Sequence, residues 1–317
     1  MFSVGIDIGG TKIAYGLFDR NRKLIVKMRS QTPQNLAAED FFQYVKRDVE
    51  KMAGKSNLLL NDIEGIGVGI PGSIRYPDGY IVVNSNIAKL AGFGAGDYLK
   101  KIFPGAAIEI DNDAHAAALG ENRYGAGKGH DHMVYCAVSS GISSAVVIDG
   151  KLFKGSNGFA GESGHMLITP DRKREVYCPC GNDGCFMSWC SGQMIAKHLC
   201  KWVKEDKKTT IISEMVKCPE EISTLEIARA WEQGDTLAGK AIEQMQHYIA
   251  LWLFNIYVFL NIDCFVLGGG LLKLGDRFWN EIYGLFEGYK KTDAKVIFKE
   301  AELGDDMGII GAHELLY

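Results

Sequence analysis

The chain has 317 residues, of which 47% are hydrophobic and 23% are charged, and its formal net charge at pH 7 is −4. A chain of this length and composition is expected to form two domains with hydrophobic cores, which excludes a disordered protein. The negative net charge argues against nucleic acid or an anionic membrane as the main partner, because both require a clustered positive surface. The longest apolar run, residues 248–260, is too short to cross a bilayer, and the first residues lack the basic start of a signal peptide. We therefore expect a cytoplasmic protein.

The first part of the chain predicts a β-meander with a phosphate-binding turn. Its strands are predicted at residues 2–7, 13–18 and 24–28. Asp7 ends the first strand, and the turn that follows contains Gly9, Gly10, Thr11 and Lys12. Adjacent glycines allow backbone N–H groups to face phosphate oxygens, while the threonine and the lysine add a donor and a charge. In that arrangement Asp7 would hold Mg²⁺, directly or through water. The alternative is a tight turn with no further function.

Polar residues follow a buried strand farther along the chain. Hydrophobic patterning predicts a helix over residues 36–52, strands over 65–72 and 106–110, and an alanine-rich helix over 114–121. The second of these strands runs directly into Asp111, Asn112 and Asp113. Because open α/β sheets place ligands at the carboxyl ends of their strands, this tripeptide is a candidate site.

The second half of the chain repeats the first. Strands are predicted at 133–139, 145–149, 262–267 and 295–298, a long helix at 235–260, and a terminal helix from residue 307. Ser140 and Gly141 form a small-residue turn between the first two of these strands, and a triple glycine, Gly268 to Gly270, follows the third. Two such hairpins, facing each other across a cleft, could hold the phosphates of one nucleotide from both sides.

Three cysteines and one histidine form a candidate zinc site. The set is His165, Cys178, Cys180 and Cys185. Three thiolates and one imidazole complete the tetrahedral coordination of Zn²⁺, so the metal would be structural, with no position open for substrate. The alternatives are buried free thiols beside an unrelated histidine, or, with less support, a disulfide.

Taken together, the motifs resemble those of the ROK family of sugar kinases and sugar-sensing repressors. They are Asp7-Ile-Gly-Gly-Thr-Lys12, Asn112-Asp113-Ala114 with Glu121, Gly161-Glu162-Ser-Gly164-His165-Met166, the cysteine cluster with Gly181 and Gly184, Leu267-Gly-Gly-Gly270, and Gly308 with Gly311-Ala312. The resemblance implies an α/β fold of the actin-like ATPase (ribonuclease H-like) type, duplicated into two α/β domains around a central cleft. The domains would be residues 1–115, joined by the C-terminal helix at about 305–317, and residues 116–304 with the zinc knuckle.

The resemblance also implies a role for each matching residue. Asp113 would be the general base that removes a proton from the attacking sugar hydroxyl. The sugar would be bound by Asn86, Asn112, Asp113, Glu162 and His165. The nucleotide and Mg²⁺ would be bound by Asp7, Gly9, Gly10, Thr11, Lys12, Ser140, Gly141, Gly268 and Gly269. His165, Cys178, Cys180 and Cys185 would hold the structural Zn²⁺. The remaining histidines are expected to be structural: His115, His130, His132, His198, His247 and His313.

The chain departs from the family pattern at two places. The second phosphate turn, residues 139–145, carries serines where the family has glycines, which predicts weaker or altered nucleotide binding. Met187 stands where the family has a glutamate that contacts the sugar. An apolar side chain there would lose a charge-assisted hydrogen bond of roughly 1.5–3 kcal/mol and favour a less polar group on the substrate. Met187 could instead fill space in the core.

The expected activity is ATP- and Mg²⁺-dependent phosphorylation of a hexose or hexosamine, at the 6-hydroxyl. Glucose is the default substrate, while allose, fructose, N-acetylmannosamine and N-acetylglucosamine stay open. The alternative is a catalytically weak sugar-binding or sensing protein of the same family. A repressor would need an N-terminal helix-turn-helix, for which the position of Asp7 leaves no room. The resemblance further predicts a homodimer with a sugar as small-molecule partner.

Overall fold

The computed structural model describes residues 2–84, 86–169, 177–206 and 210–317. Its strands are β1 Phe2–Ile8, β2 Lys12–Phe18, β3 Leu24–Gln31, β4 Ile63–Ile70, β5 Ser73–Arg75, β6 Tyr80–Val83, β7 Phe93–Gly94, β8 Ala107–Asn112, β9 Met133–Val138, β10 Ile142–Ile148, β11 Lys151–Leu152, β12 Cys264–Gly268 and β13 Ile297–Glu300. Its helices are α1 Ala38–Lys55, α2 Ala95–Ile102, α3 Asp113–Tyr124, α4 Phe186–Cys190, α5 Gly192–Asp206, α6 Ile211–Met215, α7 Thr224–Glu232, α8 Thr236–Leu260, α9 Asp276–Tyr289 and α10 Met307–Glu314. The predicted elements are present, with ends shifted by a few residues.

The first sheet has the strand order β3-β2-β1-β4-β8. Strands β1, β2 and β3 are joined as antiparallel neighbours, while β4 pairs in parallel with both β1 and β8. Helix α1 and the apolar side chains of β1, β2 and β4 share one buried cluster, which includes Phe41, Phe42 and Val45 of the helix. The amphipathic spacing of α1 therefore covers one face of this sheet, as its sequence predicts.

Glycines in β1 and β4 allow the C-terminal helix α10 to lie directly on this sheet. A Cβ atom at Gly5 would lie 2.0 Å from the carbonyl oxygen of Ile309, and one at Gly67 would lie 1.8 Å from that of Ala312. No real Cβ tolerates such distances, so any larger residue would push the helix away. These strand glycines, which lower strand propensity, are explained by the close approach of α10.

The second sheet repeats the strand order of the first. Its order is β11-β10-β9-β12-β13, with β10 and β11 antiparallel and β12 and β13 parallel. This confirms the internal repeat that the sequence predicts. A small third sheet, β5-β6-β7, has no counterpart among the strands named in the second half.

The chain divides into two compact units. The first comprises Met1–Tyr135, Ala145–Gly161 and Ala301–Tyr317, and the second comprises Cys136–Ser144 and Glu162–Glu300. The first unit thus includes the C-terminal helix and continues beyond residue 115, because α3 packs against α10. Within the described residues, no helix combines the length and the apolar character needed to cross a membrane.

Candidate active site

The junction of β8 and α3 presents Asn112 and Asp113 at the carboxyl end of the strand. Asn112 is the N-cap of α3, because its side-chain oxygen accepts a hydrogen bond from the amide of Ala114 at 2.7 Å. Its side-chain NH₂ donates to the carbonyl oxygen of Gly72 at 2.8 Å. Asp113 Oδ1 also accepts from the amide of Ala114, at 2.9 Å. The first turn of the helix therefore holds both side chains in defined orientations.

Asp7, near the end of β1, lies in the electrostatic field of Asp113. The pKa of Asp7 is raised to about 6. Burial is the largest cause, the negative charge of Asp113 adds to it, and the positive charge of Lys12 partly opposes it. Behind Asp7 the backbone of α10 is very close, since a Cβ at Gly308 would lie 2.3 Å from the Asp7 carboxyl. A buried carboxylate whose pKa is raised partly by a neighbouring negative charge is a suitable oxygen ligand for a divalent cation.

The first glycine turn is held by hydrogen bonds to neighbouring backbone. The amide of Gly9 donates to the carbonyl oxygen of Lys12 at 2.9 Å, and the Thr32 hydroxyl donates to the carbonyl oxygen of Gly9 at 2.6 Å. Asn86 lies beside this turn, with its Cβ 3.3 Å from the position that a Cβ on Gly10 would take. Thr11 and Lys12 are exposed at the turn. The residues of this turn that are predicted to bind the nucleotide thus lie together, and Asn86 is next to them.

In the second unit, the serine-containing turn borders a cavity of about 780 Å³. The amides of Gly192 and Gln193, at the start of α5, donate to the carbonyl oxygens of Ser139 and Ser140 at 2.9 and 3.1 Å. The polar lining residues are Ser139, Ser140, Gln193, Lys197, Glu220, Ser223, Thr224 and Lys273, and apolar walls come from Ile222, Leu225, Leu271 and Leu274. Apolar walls combined with several polar groups suit a flat heterocycle attached to a polar chain.

The triple glycine ends at the same cavity. Gly268 is the last residue of β12, and Gly269 has a φ of 103°, with a hypothetical Cβ only 2.4 Å from the carbonyl oxygen of Val138. Gly270 lines the cavity itself. A residue with a side chain at position 269 would be strained and would collide with β9, so this glycine allows the chain to turn along the cavity wall.

The predicted zinc ligands come together in the second unit. The ligand atoms of His165, Cys178, Cys180 and Cys185 all lie within 4.8 Å of one another. Cys180 Sγ is 3.7 Å from Cys185 Sγ, and Cys178 Sγ is 3.4 Å from His165 Nδ1. Tetrahedral Zn²⁺ with Zn–S distances of about 2.3 Å would separate its ligand atoms by roughly 3.4–3.8 Å. The four side chains therefore fit a zinc ion, with Nδ1 as the histidine ligand.

The loop that carries Glu162 and His165 is a short 3-10 turn, Ser163–His165. His165 Nε2, the nitrogen not directed at Cys178, is 4.0 Å from Glu162 Oε2. The hydroxyl of Ser163 accepts a hydrogen bond from the Trp252 indole at 2.9 Å and lies 2.7 Å from the hydroxyl of Ser144. Glu162 and His165 Nε2 are thus adjacent polar groups on an anchored loop.

Met187 lies beside the second glycine turn. It is the second residue of α4 and is half-buried, and its sulfur is 3.8 Å from the position that a Cβ on Gly141 would take. This contact is to the predicted phosphate turn. The predicted contact of Met187 with the sugar stays a prediction.

The family model described as "ROK family" matches residues 3–317. The chain belongs to the ROK family.

This ROK protein is similar to a glucokinase from Halalkalibacterium halodurans, with 29% identity over 310 residues that cover 97% of this chain and 92% of the relative. Among solved structures it is similar to a ROK hexokinase from Thermus thermophilus, with a TM-score of 0.84, 27% identity and coverage of 99% of this chain and 97% of the other. It is also similar to a ROK glucokinase from Streptomyces griseus in complex with glucose and AMPPNP, with a TM-score of 0.77, 26% identity and 99% coverage of both chains.

These likenesses confirm the predicted fold class, the actin-like ATPase fold, and the predicted class of enzyme, an ATP-dependent sugar kinase.

Glu121, which belongs to the ROK motif, has a structural role in this chain. It is fully buried and accepts hydrogen bonds from the backbone amides of Ala126, Glu302 and Leu303 at 2.9, 3.1 and 2.9 Å. A buried carboxylate with three donors holds these backbone segments together.

Several residues around the site were not predicted from the sequence. Lys197 and Lys273 of the cavity, and Trp252 behind the Glu162 loop, belong to segments without a motif. Lys154 reaches Asp111 at 2.9 Å, and the sequence contains no spacing that relates the two. Trp252 sits in the long apolar run of α8, where it reads as an ordinary core residue.

Proposed function

We propose that this protein transfers the γ-phosphoryl group of ATP to a hexose or hexosamine, with the 6-hydroxyl as the acceptor and glucose as the first substrate to test. The observation that carries the proposal is the position of Asp113. Its carboxyl group stands at the carboxyl end of β8, is oriented by the first turn of α3 and is close enough to Asp7 to raise the pKa of that carboxyl.

Asp113 acts in this proposal as the general base. A sugar hydroxyl is a weak nucleophile, and a carboxylate within hydrogen-bond distance takes its proton as the oxygen attacks phosphorus. Asn112 is held by Gly72 and Ala114, so it offers a fixed amide to the same sugar. Asn86, Glu162 and His165 Nε2 are the further groups proposed to bind sugar hydroxyls.

The nucleotide is proposed to use both glycine-containing turns. Gly9, Gly10, Thr11 and Lys12 supply backbone and side-chain donors in the first unit, and Ser140, Gly141, Gly268 and Gly269 do so in the second. The cavity of about 780 Å³ is large enough for a nucleoside, and its lysines suit phosphate oxygens. Asp7 is proposed to bind Mg²⁺, which when bound would neutralise charge on the phosphates.

We further propose that His165, Cys178, Cys180 and Cys185 hold one structural Zn²⁺. The ion would fix the Nδ1 side of His165, so that Nε2 faces away from the cysteines and toward Glu162. The ligand distances given above support this assignment. The homodimer predicted from the family resemblance stays a prediction, which size-exclusion chromatography with light scattering would test.

The experiment is to measure ADP release by wild type and Asp113→Asn across hexoses and N-acetylhexosamines. We expect Asp113→Asn to lower kcat by about 10²- to 10⁴-fold while sugar affinity changes little, because the amide keeps the shape and loses the base. Asp97→Asn is the matched control, since Asp97 is a solvent-exposed carboxylate on α2. Near wild-type turnover by Asp113→Asn would show that Asp113 is not the base. Sugar binding without ADP release by wild type, on any sugar, would favour the sensing protein.

A further inference from the structure

A cluster of three charged side chains includes Asp111, which precedes the proposed base by two residues. His115 Nδ1 is 2.7 Å from Asp111 Oδ1, and Lys154 Nζ is 2.9 Å from Asp111 Oδ2. The side chains of Asp111 and His115 are 5% and 3% exposed and that of Lys154 is 20% exposed. All three belong to the first unit. This charged cluster, defined as Asp111, His115 and Lys154, is not part of the ROK motifs recognised above.

The two ring nitrogens of His115 have different acceptors. His115 Nε2 is 2.8 Å from the carbonyl oxygen of Ala160, and a carbonyl only accepts, so this nitrogen carries a proton. The other ring nitrogen faces the Asp111 carboxylate and is also a donor. Burial alone would lower the pKa of His115, but the hydrogen bond and charge of Asp111 outweigh it and raise that pKa. Both ring nitrogens of His115 thus face acceptors, which favours the protonated ring beside the Asp111 carboxylate.

The contacts of the cluster join three segments of the first unit, one of which leads directly into Asp113. Asp111 Oδ1 accepts from the amide of Asn112 at 2.8 Å, immediately before the base. Lys154 packs its ammonium 4.5 Å from the centre of the Tyr76 ring. The cluster thus connects the β8–α3 junction, the turn between β5 and β6, and the segment 154–160, which lies shortly before Glu162 in the chain.

Stability alone is a poor explanation for this arrangement. Burying three charges costs desolvation energy, and replacing a buried ion pair by well-packed apolar side chains is often neutral or stabilising. A connected cluster of charges does, however, define one geometry, because Asp111 contacts both His115 and Lys154 at short distances and His115 also reaches the carbonyl oxygen of Ala160. The cluster therefore serves to orient the neighbouring residues Asn112 and Asp113, which carry the proposed chemistry.

We propose that Asp111, His115 and Lys154 are positioning residues for phosphoryl transfer. They hold the turn that presents Asn112 and Asp113 and connect it to the segment preceding Glu162. The inference rests on the proposed function, in which Asp113 is the base. A base displaced by about 1 Å can lose on the order of 100-fold in rate, so disruption of the cluster should appear in kcat before it appears in nucleotide binding.

The test compares Lys154→Met, Lys154→Arg and the control Lys151→Met, an exposed lysine three residues earlier. For Lys154→Met we expect kcat to fall about 10- to 100-fold, with the KM for ATP within about twofold of wild type. Lys154→Arg restores the positive charge and should keep kcat within about threefold, and Lys151→Met should match wild type. A purely structural cluster would lower the melting temperature and leave kcat of the folded enzyme unchanged, and that result overturns the proposal.

Two further measurements cover the remaining outcomes. If Lys154→Met does not fold, His115→Asn is measured instead. Asparagine keeps a donor for only one of the two acceptors, Asp111 and the carbonyl oxygen of Ala160. A wild-type kcat in this variant overturns the proposal. If wild type releases no ADP with any sugar, the proposed function fails independently. The readout then becomes sugar affinity by titration calorimetry, where Lys154→Met should weaken binding about tenfold or more, and an unchanged affinity refutes the positioning role.

Discussion

Replacing Gly308 by alanine should displace Asp7 and thereby weaken metal-dependent turnover. The added Cβ would lie 2.3 Å from both Cγ and Oδ2 of Asp7 and 2.8 Å from its Cβ. Ordinary contacts between such atoms are about 3.5 Å or more, so the carboxyl group or the start of α10 must move by roughly 1 Å. Overpacking of this kind lowers the free energy of unfolding by about 1–3 kcal/mol. Alanine is more favourable than glycine in a helix by at most about 1 kcal/mol, so it offsets only part of this loss. We expect a modest net loss of stability.

The effect on activity should exceed the effect on stability. Asp7 is the proposed ligand of Mg²⁺, and a displacement of about 1 Å in such a group can cost up to about 100-fold in rate. We therefore expect Gly308→Ala to raise the Mg²⁺ concentration needed for half-maximal activity and to lower kcat by about 10- to 100-fold. The assay is ADP release in a MgCl₂ titration at saturating sugar and ATP, with thermal melting of the same samples.

The matched control is Gly284→Ala in the middle of α9, where an added Cβ meets no atom within 4 Å. This change should stabilise the protein by about 0.4–1 kcal/mol and leave the Mg²⁺ dependence unchanged. A double-mutant cycle assigns the effect to Asp7: Gly308→Ala should cost little further activity in an Asp7→Asn background. Wild-type kcat and Mg²⁺ dependence in Gly308→Ala would refute the assignment of Asp7 as the metal ligand.

Two further predictions concern the second unit. Elemental analysis should find one Zn²⁺ per chain. The Cys180→Ala variant should lose the metal and have a less stable His165 loop, because three ligands cannot complete the tetrahedral site. Substoichiometric zinc that a chelator removes without loss of stability or sugar binding would contradict this prediction. Met187→Glu should raise kcat/KM for common hexoses such as glucose and lower it for the natural substrate, since a hydroxyl gains a partner worth roughly 1–3 kcal/mol. A uniform fall in kcat/KM across hexoses and N-acetylhexosamines, with zinc retained, would show that position 187 serves packing, as its contact with Gly141 also allows.

The sequence predicts well those structural elements that depend on residues close together in the chain. Periodicity reports which face of a segment is buried, so α1, α8 and the first three strands were predicted to within a few residues. The glycine turn at Gly9 and Gly10 is compact in sequence because it is one tight turn, and so is the cluster of Cys178, Cys180 and Cys185. Asn112 likewise precedes α3 at the position where an N-cap is expected, and it fills that role.

The tertiary structure alone decided the contacts between distant segments. Asp7 and Gly308 are near opposite ends of the chain, and their contact depends on how closely α10 approaches the first sheet. Lys154 and Asp111 follow no spacing rule, because an ion pair between two elements depends on their packing and not on any local period. The direction in which His165 Nε2 points depends on which of the two ring nitrogens faces Cys178. Local propensities reach only a few residues along the chain, whereas these contacts are selected by the packing of whole elements against each other.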